Sequence, residues 1–346
     1  MKSSFSGNLS FTIFGESHGS AIGVTIEGLP VGFQPDMEAL RAFLSRRAPG
    51  NSPLSSSRKE ADLPEFVSGL FDGRVCGGPV TALIRNTDAR SSDYDTNGDG
   101  SQKSQNVPRP GHADYTAELK YRGFQDYRGG GSFSGRMTAP LCIVGGLCLQ
   151  LLAQRGIAVS SRAVEIGGIS GSAEALEQRI LQAKAEGDSV GGIIEVCAAG
   201  VPGGLGGPLF EGLEGRIAQT VFAIPAVKGI EFGSGFEGSR LRGSENNDPF
   251  RMDGGEVITA SNRSGGILGG ISDGMPLVFR VAVKPTPSIG KTQQSVDIIS
   301  NANTDLTITG RHDPCIVPRA LPCMEAATAI VLLDALLERK KEEPWT

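Results

Sequence analysis

Thr138-Ala139-Pro140-Leu141-Cys142-Ile143-Val144-Gly145-Gly146-Leu147-Cys148-Leu149-Gln150-Leu151-Leu152-Ala153-Gln154-Arg155 carries few polar residues before its last turn. Wound as a helix, it sets Leu141, Val144, Leu147, Leu149, Leu151 and Leu152 nearly all round the axis. A helix that is apolar on every side is buried on every side. The stretch therefore predicts a layered fold with this helix between the layers. Ser134-Gly135-Arg136 comes just before it, so the unpaired N–H groups and positive dipole end of the helix fall where an anion is favoured.

Upstream, Val107 to Arg136 holds His112, four arginines (Arg109, Arg122, Arg128 and Arg136) and the run Gly129-Gly130-Gly131-Ser132-Phe133-Ser134. Pro108 and Pro110 keep the chain extended before His112, and glycines let backbone N–H groups turn toward a ligand. Arginine adds permanently charged planar forks that match phosphate or carboxylate oxygens. Two readings stand: an anion site, or a glycine-rich surface turn with solvated arginines.

Further out, Ala21 to Leu29 alternates as a strand and ends at Gly28-Leu29-Pro30-Val31-Gly32. Asp36 caps a helix running through Arg46, with Leu40, Phe43 and Leu44 on one face. Val80 to Ile84 reads as a short strand, and Thr87 to Val107 as a mobile loop. Gly192 to Val196 is a strand followed by Gly200-Val201-Pro202-Gly203-Gly204 and a helix from Leu213 to Phe222. That echoes the earlier strand, its Gly-Leu-Pro turn and its helix. Gly69-Leu70-Phe71-Asp72-Gly73 before Val80 is likewise echoed by Gly270-Ile271-Ser272-Asp273-Gly274 before the strand Leu277 to Val283. Two echoes in one order predict two similar halves, with chance among many glycines as the competing reading. A packed helix from Met324 to Lys341 ends the chain.

The chain has 346 residues, 21% of them charged and 39% hydrophobic, which fits a globular protein with a sizeable core. A net charge of −5 does not advertise nucleic-acid binding. Glycine, at 49 residues without a triplet period, points to tight turns and close backbone approaches. Six scattered cysteines form no zinc-like spacing and read as small buried hydrophobes in a reducing compartment. With no signal-peptide pattern and no eighteen-residue apolar run, the expectation is a cytoplasmic protein with no membrane span.

There are three histidines, His18, His112 and His312, and all lie in turn-like stretches beside glycine, serine or aspartate. Each has a structural reading, but none sits on an apolar helical face, and imidazole suits proton transfer near neutrality. Gly290-Lys291-Thr292 imitates a P-loop ending, yet Pro285 stands where the loop glycine belongs. Gly129 to Gly135 misses the dinucleotide fingerprint by one residue, which counts against a nucleotide-dependent oxidoreductase.

Taken together, six ordered segments resemble the chorismate synthase family. They are Phe14-Gly15-Glu16-Ser17-His18-Gly19, Arg109-Pro110-Gly111-His112-Ala113-Asp114-Tyr115, Asp126-Tyr127-Arg128-Gly129-Gly130-Gly131, Gly265-Gly266-Ile267-Leu268-Gly269-Gly270-Ile271-Ser272, Lys284-Pro285-Thr286-Pro287-Ser288 and Gly310-Arg311-His312-Asp313-Pro314-Cys315. The resemblance implies an α+β fold: a β-α-β sandwich with helices between two antiparallel sheets and pseudo-duplicated halves. It implies one domain over 1–346, with halves near 8–135 and 136–320 and a C-terminal helix at 324–341. The implied activity is 1,4-elimination of phosphate from 5-enolpyruvylshikimate 3-phosphate, with reduced FMN required but not consumed. NADPH is a candidate reductant, the implied assembly is a homotetramer, and neither nucleic acid nor membrane is a partner.

On the family's pattern Arg47, Arg109, Arg136 and Arg319 hold substrate, with Arg46 nearby. His18 and His112 are the acids, Asp313 relays a proton through flavin N5 and Ser17 assists by hydrogen bonding. The resemblance implies FMN contacts at Ser132, Phe133, Ser134, Glu245, Asn246, Gly269, Lys284, Pro285, Thr286, Pro287, Ser288 and Arg311. The chain also departs from the pattern. After the three glycines the family runs Arg-Ser-Ser-Ala-Arg-Glu, whereas this chain has Ser132-Phe133-Ser134-Gly135-Arg136-Met137. Pro53 replaces an arginine, and a segment between Val164 and Ala173 is missing. These departures keep open an alternative: a flavin- or phosphate-binding homologue with impaired turnover.

Overall fold

Two antiparallel sheets follow from period-two burial along their strands. In the first half these are β1 (Ser4–Phe5), β2 (Ser10–Gly15), β3 (Ala21–Glu27), then helix α1 (Met37–Arg47), β4 (Glu65–Ser68) and β5 (Val80–Arg85). Helix α2 (Asp114–Tyr121) and helix α3 (Thr138–Ala153) come next. The second half holds β6 (Ala158–Ile166), α4 (Ala173–Ala185), β7 (Gly192–Ala199), α5 (Leu213–Phe222), β8 (Val227–Phe232), β9 (Leu277–Val283) and α6 (Val317–Glu342). The computed structural model describes residues 3–50, 60–87, 106–308 and 313–342. The serine-rich loop after Gly50, Pro53, most of the loop expected after Thr87, Arg311 and His312 lie outside the described residues.

Ile22, Val24 and Ile26 of β3 and Val80, Ala82 and Ile84 of β5 turn inward, as do Ile194, Val196 and Ala198 of β7 and Leu277, Phe279 and Val281 of β9. The outer face of the second sheet is polar, with Arg162 paired to Glu195 at 2.6 Å and Arg280 to Glu231 at 2.8 Å. Between the sheets, α3 lies against β3 and β5, α6 against β6 and β7, and the two helices against each other. This is the sandwich expected from the all-apolar helix.

The halves are duplicated in topology. The first sheet runs β1-β2-β3-β5-β4 and the second β6-β7-β9-β8, so strands two to five of the first match the second in order. Helix α1 follows β3 as α5 follows β7, and α3 follows β5 as α6 follows β9. Gly28 and Gly200 occupy matching corners, where a Cβ would come 2.1 Å from the Asn8 carbonyl oxygen and 2.3 Å from that of Gly156.

Local chemistry sets the helix starts. Asp36 caps α1, its carboxylate accepting from the backbone N–H groups of Glu38 and Ala39 at 2.9 Å each. Helix α6 begins seven residues earlier than the sequence pattern indicates. Pro318 falls in the first turn, where its missing N–H costs no helical bond, and the helix continues through Pro322. The 19-residue stretch Gly135–Ala153, which is α3 with the turn before it, and the 23-residue stretch Val317–Arg339 of α6 are each long and apolar enough to cross a membrane. Most of each is buried inside the protein, 78% and 83% of the apolar windows, so both serve as core helices. Of the six thiols, all free, four are buried, but Cys76 is exposed, contrary to the reading of all as buried hydrophobes.

The α3–α6 crossing depends on Gly145, where a Cβ would meet Ala326 Cβ at 2.1 Å and its Cα at 2.3 Å. Helix propensity alone favours Gly145→Ala by about 1 kcal/mol, whereas overpacking costs roughly 1–3 kcal/mol or more. We expect packing to win. Urea unfolding should show the variant less stable than wild type, and a stabilised variant would refute so close a crossing.

Candidate active site

Three consecutive glycines lie between two histidines. Gly129, Gly130 and Gly131 have φ of 60°, 88° and 51°, a left-handed run that only glycine adopts without strain. A Cβ on Gly129 would come 2.1 Å from His18 Cε1, and one on Gly130 would come 3.0 Å from His112 Cε1 and 3.1 Å from its Nε2. Each histidine thus packs on bare backbone. Ser17 is held beside them, its N–H donating to the Gly131 carbonyl at 3.3 Å. Its Oγ is buried and has no hydrogen-bond partner among the described residues.

From His112 a chain of contacts runs through distant segments and returns to His18. His112 Nδ1 lies 2.6 Å from Asp114 Oδ1, and Asp114 grips Arg109 through Nε at 2.7 Å and Nη2 at 2.8 Å. Arg109 Nη1 reaches Ser288 Oγ at 3.5 Å, and Lys284 Nζ donates to the Gly111 carbonyl at 2.5 Å. Thr286 Oγ1 donates to the Asp313 carbonyl at 2.7 Å, and Asp313 Oδ2 accepts from Arg319 Nη1 at 2.5 Å. Arg319 Nε donates to the Arg47 carbonyl at 3.0 Å, and Arg47 and Arg136 share the Asp62 carboxylate. Arg136 Nε donates to Asn86 Oδ1 at 3.1 Å, and Asn86 Nδ2 donates to the carbonyls of Gly19 at 2.8 Å and Glu16 at 3.2 Å, flanking His18. The contacts close a ring.

Burial alone would raise the Asp62 carboxyl, but the Arg47 and Arg136 charges outweigh it and hold Asp62 below the usual carboxylate range. Asp114 behaves alike: burial opposes ionisation, and hydrogen bonds from Arg109 and His112 overcome it, leaving the carboxyl far below its ordinary value. Burial pulls Arg136 and Arg319 below the usual arginine range, yet guanidinium stays protonated at any working pH. Burial and then Lys228 lower Lys284.

Most of the site residues expected from sequence gather at the ring or beside it. Ser17, His18, Arg47, Arg109, His112, Arg136, Lys284, Thr286, Ser288, Asp313 and Arg319 belong to the ring. Ser132, Phe133 and Ser134 continue directly from the glycine run. Phe133 leans on Tyr121, ring centroids 6.3 Å apart, and Ser134 Oγ accepts from the Arg136 N–H at 3.3 Å. Pro285 and Pro287 are carried on the Lys284–Ser288 segment, Pro287 beside Gly111.

Arg46 points elsewhere, because consecutive helical residues diverge by about 100°. Its guanidinium forks onto Glu325 at 2.6 and 2.8 Å, and Glu325 also accepts from Ser161 Oγ. Glu245, Asn246 and Gly269 stand apart. Glu245 accepts from the Arg242 N–H, Asn246 pairs with Ser234, and no hydrogen bond among the described residues joins these three to the ring. Sequence reading missed Asp62, Asn86 and Asp114. Asp114 carried a signal, two positions from His112 in the quoted motif, whereas Asp62 and Asn86 had only the general need of buried arginines for acceptors.

A family model described as chorismate synthase matches residues 9–337. The chain belongs to the chorismate synthase family. It is 47% identical to the chorismate synthase of Thermococcus gammatolerans, over 97% of this chain and 98% of that one. It is 44% identical to that of Methanosarcina acetivorans, over 96% and 95%. A crystal structure of chorismate synthase superposes with a TM-score of 0.74 at 30% identity, covering 96% of this chain and 92% of that one. As a chorismate synthase the chain is an enzyme of the lyase class.

Asp62 supplies the pH dependence. A carboxyl held below its unfolded value near 4 contributes stability above that pH and loses it as pH falls. Asp62→Asn should lower unfolding free energy at neutral pH by roughly 3–5 kcal/mol, the cost of leaving buried charge uncompensated. It should also flatten the loss between about pH 5 and pH 3. Urea titrations across that range check both; an unchanged acid slope would remove Asp62 from the account.

Proposed function

We propose that the ring is where 5-enolpyruvylshikimate 3-phosphate loses its phosphate to give chorismate, with reduced FMN bound alongside. The observation that carries this is the placing of His18 and His112 on either side of one glycine run, inside a ring of arginines. In the elimination the C3–O bond breaks with its electron pair leaving on phosphate. The C6–H electrons form a C1=C6 double bond as the C1=C2 pair shifts to C2=C3, and the proton lost from C6 balances the one that phosphate gains. Arg109, Arg47, Arg136 and Arg319 orient the dianionic phosphate and the carboxylates by charge-assisted hydrogen bonds. His112 donates a proton or a strong hydrogen bond to the departing phosphate. His18, against Gly129, moves a proton on the other side of the run, and Asp313, held by Arg319, is the carboxylate that relays a proton.

The residues present fit a flavin. The side-chain-free strip at Gly129–Gly131 and the Ser17 hydroxyl, without a partner among the described residues, suit the edge of a flat heteroaromatic ring rich in acceptors and donors. Ser132, Ser134, Lys284, Thr286 and Ser288 suit its ribityl and phosphate oxygens. Bound there, reduced FMN supplies the electron density that no amino-acid side chain provides. Free thiols and the family's biosynthetic role support a cytoplasmic setting. Exposed Phe250, Met252 and Val257 on the hairpin 250–259, with Phe236 also exposed, support a homotetramer that covers them.

Anaerobic phosphate release from the substrate tests this reading. Phosphate and chorismate should appear in equal amounts with reduced FMN and not without it, and His112→Ala should lower turnover by ~10²–10⁴. Chorismate formed without flavin, or a fully active His112→Ala, would refute the assignment. Replacing chemical reductant with NADPH then shows whether the enzyme reduces its own flavin.

A further inference from the structure

We propose that Asp114 is the positioning residue of His112: it fixes the imidazole as the Nδ1–H tautomer and so assigns proton delivery to Nε2. The inference rests on the functional reading above for its catalytic consequence, and on geometry alone for the tautomer. Four donors converge on this one carboxylate. Oδ2 accepts from Arg109 Nε at 2.7 Å and from the Arg109 backbone N–H at 3.1 Å, while Oδ1 faces Arg109 Nη2 at 2.8 Å and His112 Nδ1 at 2.6 Å. A carboxylate so gripped by a guanidinium is ionised and can only accept. The 2.6 Å contact must therefore be donated by His112, which places a proton on Nδ1.

Arg109 Nη2 also lies 3.1 Å from His112 Nδ1. With a proton on each nitrogen that approach is not a hydrogen bond; two donors meet, and Asp114 bridges them. Nε2 is left on the glycine side, where a Cβ on Gly130 would come within 3.1 Å. As the C3–O bond breaks, the proton passes from Nε2 to a phosphate oxygen, and the imidazole left behind is neutral and still protonated on Nδ1. Without the Asp114 charge the arrangement inverts. Arg109 Nη2 becomes the natural donor to Nδ1, the neutral ring carries its proton on Nε2, and an arginine stands against the imidazolium with nothing between them. Glycine at 130 and aspartate at 114 thus serve one end: an imidazole held at Nδ1 by a carboxylate and with its Nε2 edge against bare backbone.

The test is magic-angle-spinning NMR of full-length enzyme labelled with ¹⁵N-histidine, whose three histidines make assignment by His112→Gln direct. On raising the pH until the ring has lost one proton, wild-type His112 should show a protonated Nδ1 and a bare Nε2. Asp114→Asn should move the proton to Nε2 and lower kcat for chorismate by ~10²–10⁴, the range for a disabled general acid. Asp114→Glu, which keeps the charge, should restore the Nδ1–H signal and part of kcat. A wild-type His112 protonated on Nε2 alone would overturn the proposal without any variant. A tautomer that shifts in Asp114→Asn with kcat unchanged would overturn the catalytic role. The NMR does not need turnover, so a wild-type enzyme that made no chorismate would refute the functional reading while the tautomer was still decided.

Discussion

Where both histidines can stand is decided by the left-handed backbone at Gly129–Gly131. A side chain at Gly129 would occupy the space of the His18 ring, and one at Gly130 would press on His112. L-residues other than glycine pay roughly 1–2 kcal/mol for each step into that conformation, so a run of three is a strong demand on sequence. The backbone there is tied back to Ser17 through the Gly131 carbonyl, which fixes the loop after β2 to the glycine run. Two histidines from segments almost a hundred residues apart in sequence are brought to one strip of main chain by that single conformation.

Arginines make the site and also threaten the fold. Arg47 and Arg136 are buried at 3% and 4% exposure, and an isolated buried charge costs several kcal/mol. Asp62 compensates both at once, and Glu60 lies 3.6 Å from Arg136. The same carboxylates hold the guanidinium forks still, which on the proposed reading reduces the ordering that substrate binding must impose. Preorganisation and stability are here one interaction, with Asp62 at its centre. The core helices α3 and α6 carry part of the frame: α3 follows Arg136 directly, and α6 opens with Arg319 in its first turn.

Much of the architecture was legible in sequence because it rests on local patterns. The apolar circumference of Thr138–Ala153 demanded burial between layers, Asp36 announced α1, and the Gly-Leu-Pro and Gly-Val-Pro corners marked the duplicated halves. The start of α6 was hidden because Pro318 and Pro322 read as breaks, although a first-turn proline fits a helix and tertiary packing carries it past the second. Both long apolar segments are long and apolar enough for a span, and their burial inside the protein shows them as core, as the sequence reading expected of the first. Within the site, histidines and glycines were visible as chemical types in turn-like settings. Their counter-charges were not, since Asp62 and Asn86 meet the arginines only through the fold. Arg46 was read with Arg47, yet one helical step turns its guanidinium to Glu325.

The central claim is that the ring of His18, His112 and the arginines, closed around the glycine run, is where phosphate departs. A crystal structure of the enzyme with 5-enolpyruvylshikimate 3-phosphate and oxidised FMN measures this most directly. The account predicts the substrate phosphate within hydrogen-bond reach of His112 Nε2 and of the ring arginines, with the carbon skeleton against Gly129–Gly131. Substrate held instead in the surface groove lined by Glu231, Arg263 and Arg280, with the glycine run untouched, would contradict it.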